Sequence, residues 1–224
     1  YSVAANEVTF ATGAKFSLYT FFMAVVNPGD EVIIPTPYWV SYGDQVKMAE
    51  GVPVFVQAKE DNHFKVTVEQ LEAARTDKTK VLVLNSPSNP TGMIYSREEL
   101  MAIGNWAVAH DVLILADDIY GRLVYNGNEF VPISSLSEAI RKQTIVINGV
   151  SKAYAMTGWR VGYAVGNPAI IAAMSKLTGQ TTSNLTAVSQ YATIEALTGP
   201  QDSVETMRQA FEERLNSIYP LLCQ

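Results

Sequence analysis

Apolar residues recur along the chain in short runs, each closed by Gly, Pro, Asn or Asp. Seven of these runs read as strands: residues 7–10, 31–35, 52–57, 80–84, 112–116, 144–147 and 162–166. The runs at 80–84 and 112–116 are continuously apolar, as strands buried on both faces require. The run at 52–57 carries Pro53, which cannot donate to a ladder, so it belongs toward a sheet edge or at a strand start. Segments of helical length lie between the strands, at 16–26, 68–75 and 137–142. Ser96 followed by Glu99 is a capping box that starts another helix, which ends near His110 and Asp111. Beyond residue 166 the pattern turns helical: 169–177, a polar break at 180–184, 185–197 stopped by Gly199-Pro200, and 203–222. In that last segment Val204, Met207, Phe211, Leu215 and Ile218 repeat in a charged background. Strands alternating with helices predict an α/β fold, a three-layer αβα sandwich around a mostly parallel sheet of about seven strands.

Composition narrows the choice of function. With 224 residues and 48% hydrophobic content, the chain can bury one sizeable core. A net charge of -6 argues against nonspecific nucleic-acid binding, which needs a basic surface. It leaves room for a locally basic pocket. The single cysteine, Cys223, excludes a disulfide framework or a cysteine-ligated zinc within the chain and fits a reducing cytoplasm. No apolar run reaches the ~18 to 20 residues of a membrane span. The expectation is a cytoplasmic protein with no metal, no nucleic-acid partner and no membrane partner.

Five stretches carry chemistry. A small-residue turn, Gly13-Ala14-Lys15, joins a strand to a helix start, where free backbone amides and the helix dipole favour an anion. On its own it is equally an ordinary connection. Tyr38, Trp39 and Tyr42 stand in a proline-broken loop, as core lids or as a flat face for a planar ligand. Asn89-Pro90-Thr91-Gly92 follows a buried strand and is a turn on any reading. Asp117 and Tyr120 stand just past the C-terminal end of another buried strand, where α/β folds place ligands. Lys152 leaves the strand at 144–147, and Arg160 follows eight residues on between Gly158 and Gly162, an amine beside an anion clamp. His63 reads as solvated, and His110 as bordering its helix away from the site.

Taken in order, these motifs resemble those of the fold-type I enzymes that use pyridoxal 5'-phosphate (PLP). They are most similar to the class I aspartate aminotransferases of the bacterial subgroup, and the likeness runs over nearly the whole chain. The resemblance implies that Lys152 forms the internal aldimine and shuttles the substrate proton. It gives Asp117 the pyridine nitrogen, and Asn89 and Tyr120 the phenolic oxygen. Trp39 would stack on the ring, with Trp39 and Asn89 also near substrate. Arg160 and the turn of Gly13, Ala14 and Lys15 would hold the phosphate. Ser151 is the candidate for a further phosphate hydroxyl, since Gly149 stands where some relatives carry a serine. Tyr38 and Tyr42 remain packing residues, and Asp118 a second-sphere or surface acid. The strand at 162–166 would be the antiparallel one.

The implied activity is amino transfer between an amino acid, foremost aspartate, and a 2-oxo acid, in a homodimer. The whole of 1–224 would be the PLP-binding large domain, with 201–224 the start of the interdomain helix. The N-terminal segment and small domain of full-length relatives, with the arginine for the substrate carboxylate, have no counterpart here. The chain alone would therefore be poorly active or inactive. The alternatives are a PLP-dependent carbon–sulfur lyase and the PLP-sensing domain of a transcription regulator.

Overall fold

A computed structural model describes residues 2–223. Seven strands form one sheet: β1 (Val8–Thr12), β2 (Glu31–Thr36), β3 (Val52–Gln57), β4 (Thr79–Asn85), β5 (Leu113–Asp117), β6 (Thr144–Gly149) and β7 (Val161–Val165). Their order across the sheet is β1-β7-β6-β5-β4-β2-β3. β7 runs antiparallel to both neighbours, and the other pairings are parallel. β3, with Pro53, is an edge strand, so its missing N–H breaks no interior ladder. The predicted sheet, its edge and its one antiparallel strand are all present.

Side-chain alternation along each strand sorts the core into two layers. In β4, Leu82 and Leu84 join one apolar cluster, while Val81 and Val83 join the cluster on the opposite face. The first face is covered by α3 (Val68–Ala74), α4 (Arg97–Ala109) and α5 (Glu138–Gln143), through Leu71, Leu100, Ile103, Trp106 and Ile140. The second is covered by α1 (Ala14–Val25), α2 (Ser41–Met48) and α6 (Pro168–Thr181), through Leu18, Phe21, Phe22, Val46, Ile171 and Met174. Ser96 caps α4 as expected, its hydroxyl accepting from the Glu99 amide while Glu99 accepts from the Ser96 amide. α7 (Ala187–Thr198) and α8 (Asp202–Leu222) complete the chain.

Several element boundaries differ from the sequence reading, and one helix was not expected. β1 runs on through Thr12, so the turn before α1 is shorter than expected. α6 continues to Thr181, and α7 begins only at Ala187. Between β2 and β3 the chain forms α2, where only an aromatic loop was expected; it buries Tyr42 and Val46 against the α1 face. Among the described residues no helix is long and apolar enough to cross a membrane.

Candidate active site

The parallel strands end along one line, and the candidate residues gather there. Asn85 on β4 is directly opposite Asp117 on β5, and Asp117 is opposite Ile147 on β6. Leu115 belongs to the α1-side cluster, so the two-residue repeat points Asp117 toward α1 as well. A cavity of about 180 Å³ opens at this place. It is lined by Ala14, Lys15, Trp39, Asn89, Asp117, Tyr120, Ser151, Lys152 and Arg160, together with Leu18, Tyr42, Asn85, Ile119 and Thr157. Every predicted site residue except Gly13 thus faces one space, and Gly13 lies against Arg160.

One wall is a phosphate-sized cradle. Gly13 adopts φ +87, and a Cβ there would stand 2.2 Å from Arg160 Nη2. Only a glycine lets the guanidinium approach the backbone this closely. Gly13 offers no side-chain cap to α1, so the first amides of the helix stay available to an anion. Arg160 is itself left-handed, and its Nη1 donates to the Thr157 carbonyl at 2.8 Å, which fixes the direction of the fork. The Gln45 amide donates to the Lys15 carbonyl at 3.1 Å and ties α2 to the same turn. Lys15 Nζ sits 4.7 Å from the centre of the Trp39 ring.

The opposite wall is a buried acid held by hydrogen bonds. Asp117 is 4% exposed; its Oδ2 accepts from the Tyr42 hydroxyl at 2.7 Å and its Oδ1 from the Ile119 amide at 3.2 Å. Burial pushes its carboxyl up to about 6, against the pull of Tyr42, Ile119 and the Lys152 charge. Asp118 is buried too, so it is no surface group; burial and then the charge of Asp117 push its carboxyl well above the ordinary range. Asn85 Nδ2 donates to the Asp117 carbonyl at 2.9 Å, and Asn85 Oδ1 accepts from the Asn89 amide at 2.8 Å. Asn89 Nδ2 in turn donates to the Tyr120 hydroxyl at 3.3 Å. Lys152 Nζ lies 5.5 Å from the centre of the Tyr120 ring.

Three participants escaped the sequence reading. Tyr42 holds Asp117 rather than merely packing. Asn85 orients both Asp117 and Asn89, a part legible only once the register sets it beside Asp117. Thr157 donates through Oγ1 to the Ser151 carbonyl at 3.0 Å and joins the cavity wall. His63 is exposed in a left-handed turn, and His110 borders α4 with Nε2 3.3 Å from Glu72, both away from the cavity.

A sheet of this order with an amine, an acid and a guanidinium at its strand ends defines a class. The crystal structure of the aspartate aminotransferase from Rhizobium meliloti matches the fold with a TM-score of 0.95 at 44% identity, covering 97% of this chain and 55% of that one. An aspartate aminotransferase from Thermus thermophilus, solved with maleate, matches with a TM-score of 0.91 at 39% identity, over 99% of this chain and 57% of that one. The chain belongs to the aminotransferase class I and II family, which matches residues 2–223. It is 72% identical to an asparagine–oxo-acid transaminase of Streptococcus mutans, over 100% of this chain and 57% of the relative. It is 58% identical to an aspartate aminotransferase of a Bacillus species, over 97% of this chain and 55% of the relative. The chain thus spans little more than half the length of the relatives it matches.

Proposed function

We propose that this chain is the PLP-binding large domain of an enzyme that moves an amino group from aspartate to a 2-oxo acid. The observation that carries the reading is the convergence of Lys152, Asp117 and Arg160 on one cavity. The residues fit the cofactor: the cradle between Gly13 and Arg160 leaves no room for a Cβ and suits an anion, and a buried acid lines the same cavity. Arg160, the amides of Ala14 and Lys15, and Ser151 would hold the phosphate. Trp39 would cover the ring face, Asn89 and Tyr120 the phenolic oxygen, Asp117 the ring nitrogen, and Lys152 the aldehyde carbon. When bound, PLP supplies an electron sink for the pair left when a Cα–H bond breaks.

The chain's own groups do the remaining work. Asp117, with a carboxyl titrating about 6, is mostly ionised at neutral pH, and a cation opposite it lowers that value further. Its carboxylate would therefore favour a protonated ring nitrogen. Tyr42 and the Ile119 amide fix the carboxylate so that it faces that nitrogen. Asn89 and Tyr120 orient each other toward the phenolic oxygen. Lys152 Nζ would be the base that takes the proton from the substrate Cα and holds it for return.

The relatives named above are aminotransferases, which favours amino transfer over the lyase and regulator readings. The 72% identical relative acts, by its name, on asparagine, so the amide is the second candidate donor. Partition of kcat/KM between aspartate and asparagine, with a 2-oxo acid acceptor and the protein carrying this chain, tests the assignment. Aspartate should lead. Release of pyruvate from cystathionine without amino transfer would remove the reading. The homodimer belongs to the same proposal: α7 turns Val188, Tyr191 and Ile194 outward, at 68%, 77% and 57% exposure, an apolar face that a second copy would cover.

A further inference from the structure

Gln201 stands where α7 ends and α8 begins. It is the N-cap residue of α8, yet its side chain makes no capping bond. The amide is used elsewhere, and completely. Its Nε2 donates to the carbonyls of Ala196 and Gly199, at 3.0 and 2.8 Å, which fixes the group against the end of α7. Its Oε1 accepts from Arg122 Nη1 and from the Tyr154 hydroxyl, the latter at 3.1 Å. Arg122 also lies over the Tyr154 ring, 5.6 Å from its centre.

These two partners come from the two loops that build the cavity. Arg122 follows Tyr120 by two residues, and Tyr154 follows Lys152 by two. Both loops are short turns: the Gly121 amide donates to Asp118 and the Leu123 amide to Tyr120, while the Ala155 amide donates to Lys152. A displacement at Arg122 or Tyr154 is therefore carried to the neighbouring site residue. α8 grips the first loop again further on: Arg208 donates to the Val124 carbonyl at 3.2 Å, Glu212 accepts from the Asn126 amide, and Asn216 exchanges side-chain hydrogen bonds with Asn126.

We propose that Gln201 is a positioning residue: its side-chain oxygen joins the Tyr120 loop to the Lys152 loop and references both to the α7–α8 junction. One acceptor shared by two donors fixes the relative place of a phenol and an amine that belong to separate strand connections, β5–β6 and β6–β7. The same junction gives α8 a mechanical hold on the cavity, so a shift of that helix moves Tyr120 and Lys152 together. The catalytic meaning rests on the PLP reading above; the joining of the loops does not.

Amide hydrogen exchange of the cofactor-free chain tests the joining. Tyr154→Phe removes one hydroxyl and nothing else, so it serves even if Gln201→Leu fails to fold. Gln201→Leu should speed exchange of Gly121, Leu123 and Ala155 by about tenfold, the cost of one hydrogen bond, and Tyr154→Phe that of Ala155, since Arg122 keeps its own bond to Gln201, while β4 and β5 keep their protection. Acceleration confined to one loop in Gln201→Leu, or none at Ala155 in Tyr154→Phe, overturns the proposal. With PLP added, the pH midpoint of its visible absorption band should shift in Tyr154→Phe and in Gln201→Leu. If the parent chain shows no such band, the PLP reading fails, and the exchange data still decide the role of Gln201.

Discussion

Asp117 shows how one residue sets both chemistry and cost. Its carboxyl titrates about 6 in the fold against an ordinary 3.8, chiefly through burial. The folded state therefore holds that proton more tightly than the unfolded chain, and stability from this group falls as pH rises from about 3.8 through about 6. The loss by neutral pH is roughly 3 kcal/mol at most. Asp117→Asn removes the buried charge, and with it the charge that raises Asp118; its amide oxygen can accept from the Ile119 N–H while its NH2 donates to the Tyr42 hydroxyl. The cofactor-free variant should be more stable than the parent at pH 7 by about 1 to 3 kcal/mol, and the difference should vanish near pH 4. Urea denaturation at the two pH values measures it; equal midpoints at pH 7 would contradict the account. Asp117 was legible in the sequence because a carboxylate ending a continuously apolar strand has few explanations. Tyr42 was not, because its hydroxyl meets Asp117 across a separation of 75 residues that only the folded sheet closes. Gln201 was equally hidden, since nothing in its neighbourhood in sequence names Arg122 or Tyr154.

At the scale of elements, the site depends on β7 meeting the first turn of α1. A Cβ on Gly162 would stand 2.1 Å from the Ala14 nitrogen and 2.4 Å from the Gly13 carbonyl carbon, backbone atoms that cannot swing aside. Gly162→Ala should therefore push α1 off the sheet, with a loss of about 3 kcal/mol in urea denaturation and weaker uptake of inorganic phosphate or PLP. A variant as stable as the parent would show that this contact does not set the cradle. The strands were readable because parallel interior strands carry unbroken Val, Leu and Ile runs between turn residues, and β4 and β5 do so plainly. α2 was missed because its sequence, SYGDQVKM, follows a proline-rich aromatic stretch and contains a glycine. Its helicity comes from packing Tyr42 and Val46 on the sheet, not from local preference.

At the scale of the molecule, apolar surface is concentrated on the last two helices. α7 exposes Val188, Tyr191 and Ile194, and α8 buries only Val204 while Phe211, Leu215 and Ile218 remain exposed. The α8 face borders a groove of about 1100 Å³ that runs past Met207, Phe211 and Leu215 to Asn89, Tyr120 and Lys152. If a second copy covers α7, Tyr191→Arg should shift sedimentation toward the monomer while leaving the circular dichroism of the fold unchanged; an unmoved dimer would place the contact elsewhere. The central claim is that Lys152 is the amine that meets the cofactor aldehyde. Its most direct test is to mix the chain with PLP, reduce with borohydride, digest, and map the added phosphopyridoxyl mass. The account predicts that mass on the peptide bearing Lys152, absent in Lys152→Ala and weakened in Arg160→Ala. The same mass spread over surface lysines, or retained in Lys152→Ala, would contradict it.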